Sequence, residues 1–250
     1  MSILERLKKA KTDPDKKLFA IVAGPRLGGK TTLAGTLPGK TIMLQAAVLE
    51  SGCKSAQQLA KKNKAQLEVL TFSTVEELSE LINDLVTDEE FDNVYVDGLS
   101  AITDIKYSEP RITNMRKTNV WDAFREIGDT ATEILLGLKG LTYPGDCKKP
   151  KNVFVTCALA VKHDSDGQII EVSLETKGNM AVSSVTKLGE AVLTVLPPLV
   201  TDKGEGHHRL FTKSSGWWPG RLDGILKEDN PGQFEPADLS KVLTLVNGGK

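Results

Sequence analysis

Stretches of apolar residues with no polar face mark where this chain buries strands on both sides. "LFAIVA" (Leu18–Ala23) and "TIMLQ" (Thr41–Gln45) read this way, and "LEVLTF" (Leu67–Phe72), the middle of "FDNVYVDGLS" (Phe91–Ser100) and "NVFVTCALAV" (Asn152–Val161) read as further strands. Between them the apolar positions recur at helical spacing, which predicts helices over Ser55–Lys62, Thr74–Val86 and Trp121–Leu138, and a shorter one over Gly29–Thr36. "LPGK" is a turn, and Tyr107–Val120 is a polar stretch without a clear period. After Asp164 the pattern changes. "DSDGQ" precedes "IIEVSLE", and "TDKGEG" separates "AVLTVLPPLV" from "HHRLFTK", both hairpin signals; a last helix covers Pro236–Val246. The order predicts an α/β fold: a mainly parallel sheet with helices on both faces, extended by C-terminal antiparallel β-hairpins. At the start, Ile3, Leu4 and Leu7 share a helical face with basic residues elsewhere, and "TDPDKK" ends the pattern. This predicts an N-terminal helical arm over 1–14, a candidate oligomerisation segment, ahead of one domain over 18–250.

Composition narrows the class without naming a function. A chain of 250 residues can bury a substantial core, and a net charge of −1 argues against a protein that coats nucleic acid over its whole surface. A local basic patch is still allowed. Cys53, Cys147 and Cys157 are far apart and odd in number, so neither a disulfide framework nor a zinc site is indicated. No run reaches membrane-spanning length and no signal peptide is visible, which predicts a soluble intracellular protein with no membrane partner.

The candidate chemistry lies where the first strand ends. "GPRLGGKTTL" fits G-x-x-x-x-G-K-[ST] from Gly24 to Thr31, directly between a strand and a helix. Glycines allow the backbone N–H groups of Gly24, Pro25, Arg26, Leu27, Gly28, Gly29, Lys30, Thr31 and Thr32 (Pro25 lacking one) to close around a phosphate chain, and the helix dipole adds to the attraction. Lys30 then reaches the β- and γ-phosphates of ATP, and the Thr31 hydroxyl is a ligand for Mg²⁺. Such a site needs a second acid at a neighbouring strand end. Asp97, after "NVYV", is the candidate. Glu50 could orient the attacking water or could be an exposed loop glutamate. His207 and His208 lack partners at metal spacing and read as surface residues. Trp217 and Trp218, read as strand neighbours, would face opposite sides.

With "TIMLQAAVLESG", "FDNVYVDGLSAI", "NVFVTC" and "RLFTKSSGWWPGRLDG", these residues resemble RecA-like P-loop ATPases over nearly the whole chain. They most resemble the phage-encoded Sak-type group associated with single-strand-annealing recombination. The resemblance implies an ATP- and Mg²⁺-dependent enzyme, self-associating as a ring or filament in the cytoplasm of a bacterial host. It implies single-stranded DNA as partner, with a single-strand-binding protein as a further one. It makes Thr156 the candidate sensor of the γ-phosphate, or else a buried strand threonine. It makes Arg221 a candidate finger into a neighbouring subunit's nucleotide, or else a surface arginine, with Pro219 where the family has lysine. It places DNA-binding loops at "KYSEPRITNMRKTNVW", with Lys106, Arg111, Arg116 and Lys117, and at "ALAVKHDSDGQ", with Lys162. The family's catalytic acid at the end of the second strand is missing: Gln45, Ala46 and Ala47 stand there.

Overall fold

Alternation within the first strand divides the interior in two. A computed structural model describes residues 16–47, 52–177, 187–198, 206–222 and 230–248. The expected arm over 1–14 and Glu50 lie outside these residues. Strand β1 (Phe19–Gly24) sends Phe19 and Ile21 to one face and Ala20 and Val22 to the other, all buried. The same alternation governs β2 (Lys40–Ala46), β4 (Asn93–Asp97) and β5 (Asn152–His163), so one sheet serves two hydrophobic cores.

Its order, among the described residues, is β3 (Gln66–Phe72), β2, β4, β5, β1, β7 (Ala191–Leu196), β8 (Arg209–Phe211), β9 (Gln233–Phe234), with β6 (Ile169–Leu174) paired to β5. The strands from β3 to β7 run parallel; β8, β9 and β6 pair antiparallel. This is the α/β class expected, with β5 inserted between the glycine-loop strand and the Asp97 strand.

Helices cover both faces. Leu33 of α1 (Lys30–Leu33), which runs on into a 3₁₀ turn at Ala34–Thr36, packs with α2 (Cys53–Lys62) on one. On the other lie α3 (Val75–Thr87), α4 (Leu99–Ser108) and α6 (Val120–Gly140), which contribute Leu78, Ile102 and Leu135. Helix α7 (Leu239–Val246) returns to the first face, where Leu239 and Val242 are buried.

One stretch departs from expectation. The polar segment read as a loop is helical: α4 extends to Ser108, and α5 (Pro110–Thr118) follows. Pro110 suits the first turn of a helix, and the single apolar anchor Ile112 is fully buried against Ala123 and Ile127. Asn119 then caps α6, its Oδ1 accepting from the Asp122 N–H at 3.2 Å.

Candidate functional site

The carboxyl ends of β1, β4 and β5 meet at one place, and the glycine loop lies over it. Gly29 caps α1 with φ of 87°, a conformation suited to glycine, and a Cβ there would stand 2.9 Å from the His208 ring. Gly24 is needed for space, since a Cβ would stand 2.5 Å from the Val195 carbonyl oxygen. Leu27 holds a left-handed backbone (φ 61°) at the loop tip with its side chain 98 % exposed. Lys30 folds back over the loop, its Nζ donating to the carbonyls of Gly24 (3.1 Å) and Pro25 (2.9 Å). From below, Tyr95 donates its hydroxyl to the Lys30 carbonyl.

Beside the loop sits a chain of three side chains. Thr31 Oγ1 donates to Asp97 Oδ2 at 2.6 Å, and Thr156 Oγ1 donates to Asp97 Oδ1 at 2.8 Å. Asp97 is 1 % exposed. A buried carboxylate that accepts from two hydroxyls is poised for a cation. Magnesium fits this set: it prefers oxygen ligands, one or two of them from protein, with phosphates and water completing the shell. No cluster of three His, Cys, Asp or Glu side chains offers a metal cage among the described residues. The β2 register places Gln45 directly beside Asp97. Gln45 is buried, and its Nε2 has no hydrogen-bond partner among the described residues.

Thr31 and Thr156 border a cavity of about 510 Å³ lined by Arg26 to Thr32, Gly52, Ser100, Asp104, Thr156, Ala158 and His208. His208 corrects the surface reading. Its ring packs on Gly29 and its Nδ1 is shielded from water without a partner among the described residues, whereas His207 is exposed. The pairing of β8 with β7, and of β7 with β1, carries His208 to the loop. No local pattern around "GHHRL" encodes that.

The remaining candidates are dispersed. Arg221 is exposed and pairs through its backbone with Val192, which is level with Ile21 in mid-sheet and well below the loop; its guanidinium donates to the Gly189 carbonyl. Arg111 is bonded to Glu126 at 2.9 Å. The Arg116 guanidinium lies 3.6 Å from the centre of the Tyr107 ring. Lys117 is exposed. Lys106, expected to face solvent, is 8 % exposed and paired with Glu109 and Glu126. Lys162 lies on β5, which continues as strand where a loop was expected, and bonds Glu171 at 2.6 Å. Trp217 and Trp218 belong to a tight turn closed by Ser215 and Trp218, because Gly216 takes φ of 56° and bends the chain.

Compared with solved structures, the chain is similar to a DnaB-like replicative helicase described with its interactions with primase. The TM-score is 0.46 at 12 % identity, over 79 % of this chain and 53 % of the other, so the match spans about half of the helicase chain. No family model and no curated protein matches the chain. No helix among the described residues is long and apolar enough to cross a membrane.

Proposed function

We propose that this chain is a RecA-like ATP hydrolase that acts as an oligomer on single-stranded DNA, promoting annealing or strand exchange in recombination of the phage Sak type. The observation that carries the nucleotide part is the Thr31–Asp97–Thr156 chain of hydrogen bonds set against the Gly24–Thr31 loop. Loop N–H groups and Lys30 bind the phosphates, with Lys30 leaving its two carbonyl partners for them. Thr31 and Asp97 would hold Mg²⁺. When bound, the ion offsets the negative charge that builds on the β- and γ-phosphates. Thr156 reports the γ-phosphate to Asp97. Arg111, Arg116, Lys117 and Lys162 contact DNA, and Arg221 reaches a neighbouring subunit's nucleotide.

A second reading is an ATP-binding assembly module with little hydrolysis and no direct DNA role. The absence of an acid at Gln45, Ala46 and Ala47 favours it. Phosphate release with and without single-stranded DNA separates the two. For the shared nucleotide site, Lys30→Ala is expected to weaken ATP binding by on the order of 2–4 kcal/mol. Asp97→Ala is expected to reduce turnover across a magnesium titration far more than it reduces binding. Unchanged ATP affinity in the Lys30 variant would refute the site.

A further inference from the structure

Hydrolysis requires an acceptor for the proton of the attacking water, and the end of β2 carries none among the described residues. From another element, a carboxylate pairs with Arg26, which lines the same cavity. β6 ends at Leu174, and the backbone of the next residue, Glu175, is fastened to the cavity wall. Its N–H donates to the Ala158 carbonyl at 2.7 Å, and its own carbonyl accepts from Ser100 Oγ at 2.6 Å. Ser100 Oγ in turn accepts from the Ala158 N–H at 3.1 Å. Ser100 and Ala158 both line the cavity, and Ala158 follows Thr156 by two residues. Glu175 is therefore anchored on the side of the cavity that holds Thr156 and Asp97.

Its carboxylate meets the side chain of a glycine-loop residue, Oε1 accepting from Arg26 Nη2 at 2.8 Å. The side chains of this pair are 77 % and 37 % exposed, for Arg26 and Glu175 respectively. An ion pair so open to water contributes little to stability, so the fold does not depend on it and the pair exchanges easily. A polyphosphate in the loop offers Arg26 a stronger, multiply charged partner. Glu175 is then left beside the cavity with its negative charge unpaired by Arg26.

Resting on the nucleotide-hydrolysis reading above, we infer that Glu175 is the general base, held in reserve by Arg26 until phosphates draw the guanidinium away. The water oxygen forms its bond to the γ-phosphorus while the bond from that phosphorus to the bridging oxygen breaks. The bonding pair leaves with ADP. The water proton passes to the Glu175 carboxylate, which returns it to solvent after phosphate departs.

The test uses the full chain and measures ATP affinity with a fluorescent ATP analogue alongside single-turnover phosphate release. Glu175→Gln is expected to keep affinity within about threefold of wild type while release slows by about 100-fold or more. Glu175→Asp keeps the carboxylate and recovers part of the rate, which a packing role would not require. Arg26→Ala, which leaves the base in place, slows release less than Glu175→Gln does. Release by Glu175→Gln within about threefold of wild type overturns the inference and leaves the nucleotide site standing. So does equal loss of affinity and rate in a variant that melts like wild type. A wild-type protein that binds ATP without releasing phosphate overturns it in favour of the assembly module, and one that binds no ATP overturns both readings.

Discussion

Tyr95 joins the glycine loop to the sheet beneath it. Its ring is buried, stacked with Phe154 at 6.3 Å between centres, and its hydroxyl serves the Lys30 carbonyl. Burial first, and the nearby Asp97 charge second, push the phenol well above its ordinary value of 10.0. Above about pH 10 the unfolded chain loses this proton while the folded one keeps it. Folding therefore binds more protons there, and stability falls as pH rises; below that range the contribution is complete. Tyr95→Phe should cost about 1 kcal/mol at neutral pH and remove part of the alkaline decline, measured by denaturant unfolding at pH 8 and pH 11. Cys157, one residue beyond Thr156, is governed by the same physics: burial pushes its thiol up to about 12. It stays protonated at neutral pH and should resist alkylation in the folded protein, while the half-buried Cys53 and Cys147 are labelled first. Peptide mapping after a timed iodoacetamide pulse would check the order.

At the scale of elements, α4, α5 and α6 make a small corner with its own apolar core of Ile112, Ala123 and Ile127. Arg116 closes it by lying on Tyr107, and its Nε is buried without a partner among the described residues. Adjacent cations in a proposed DNA-binding surface, Arg116 and Lys117, should thus respond differently to change. Lys117, or the partly solvated Arg111, reversed to glutamate should weaken single-stranded DNA binding and lower its salt slope by about 1 per charge without shifting the melting temperature. Arg116→Glu should lower the melting temperature as well. Fluorescence anisotropy over a salt series, with thermal melts, distinguishes these outcomes. The corner also marks where sequence reading lost its grip. Strands and helices with continuous apolar faces, such as β1 and α3, were legible because burial imposes their period. Helix α5 has one buried apolar residue in nine, too few to set a period, and is held by Pro110, Asn119 and tertiary contact. The loop, Lys30, Thr31 and Asp97 were legible since a motif fixes them locally. His208 and Glu175 were not, because each follows or precedes a hairpin strand that reaches the cavity only through the long-range pairing of β5 and β7 with β1.

For the molecule as a whole, the order of strands decides which parts can move independently. Through Val153–Cys157, β5 has β1 on one side and, up to Val155, β4 on the other, with a core above and below. From Leu159 to His163 the same strand has β6 as its described partner and becomes progressively exposed. Continuity of backbone is therefore not continuity of protection. Amides in the first segment should exchange with deuterium only when the whole domain opens, whereas those near Lys162 should exchange through brief fraying of the β5–β6 hairpin alone. The boundary falls at Ala158, where Glu175 and Ser100 are fastened. Mass spectrometry of deuterium uptake should show slow exchange before that residue and fast exchange beyond it. Adding ATP analogue with magnesium should move the boundary outward along β5, while the core segment, already slow, stays unchanged.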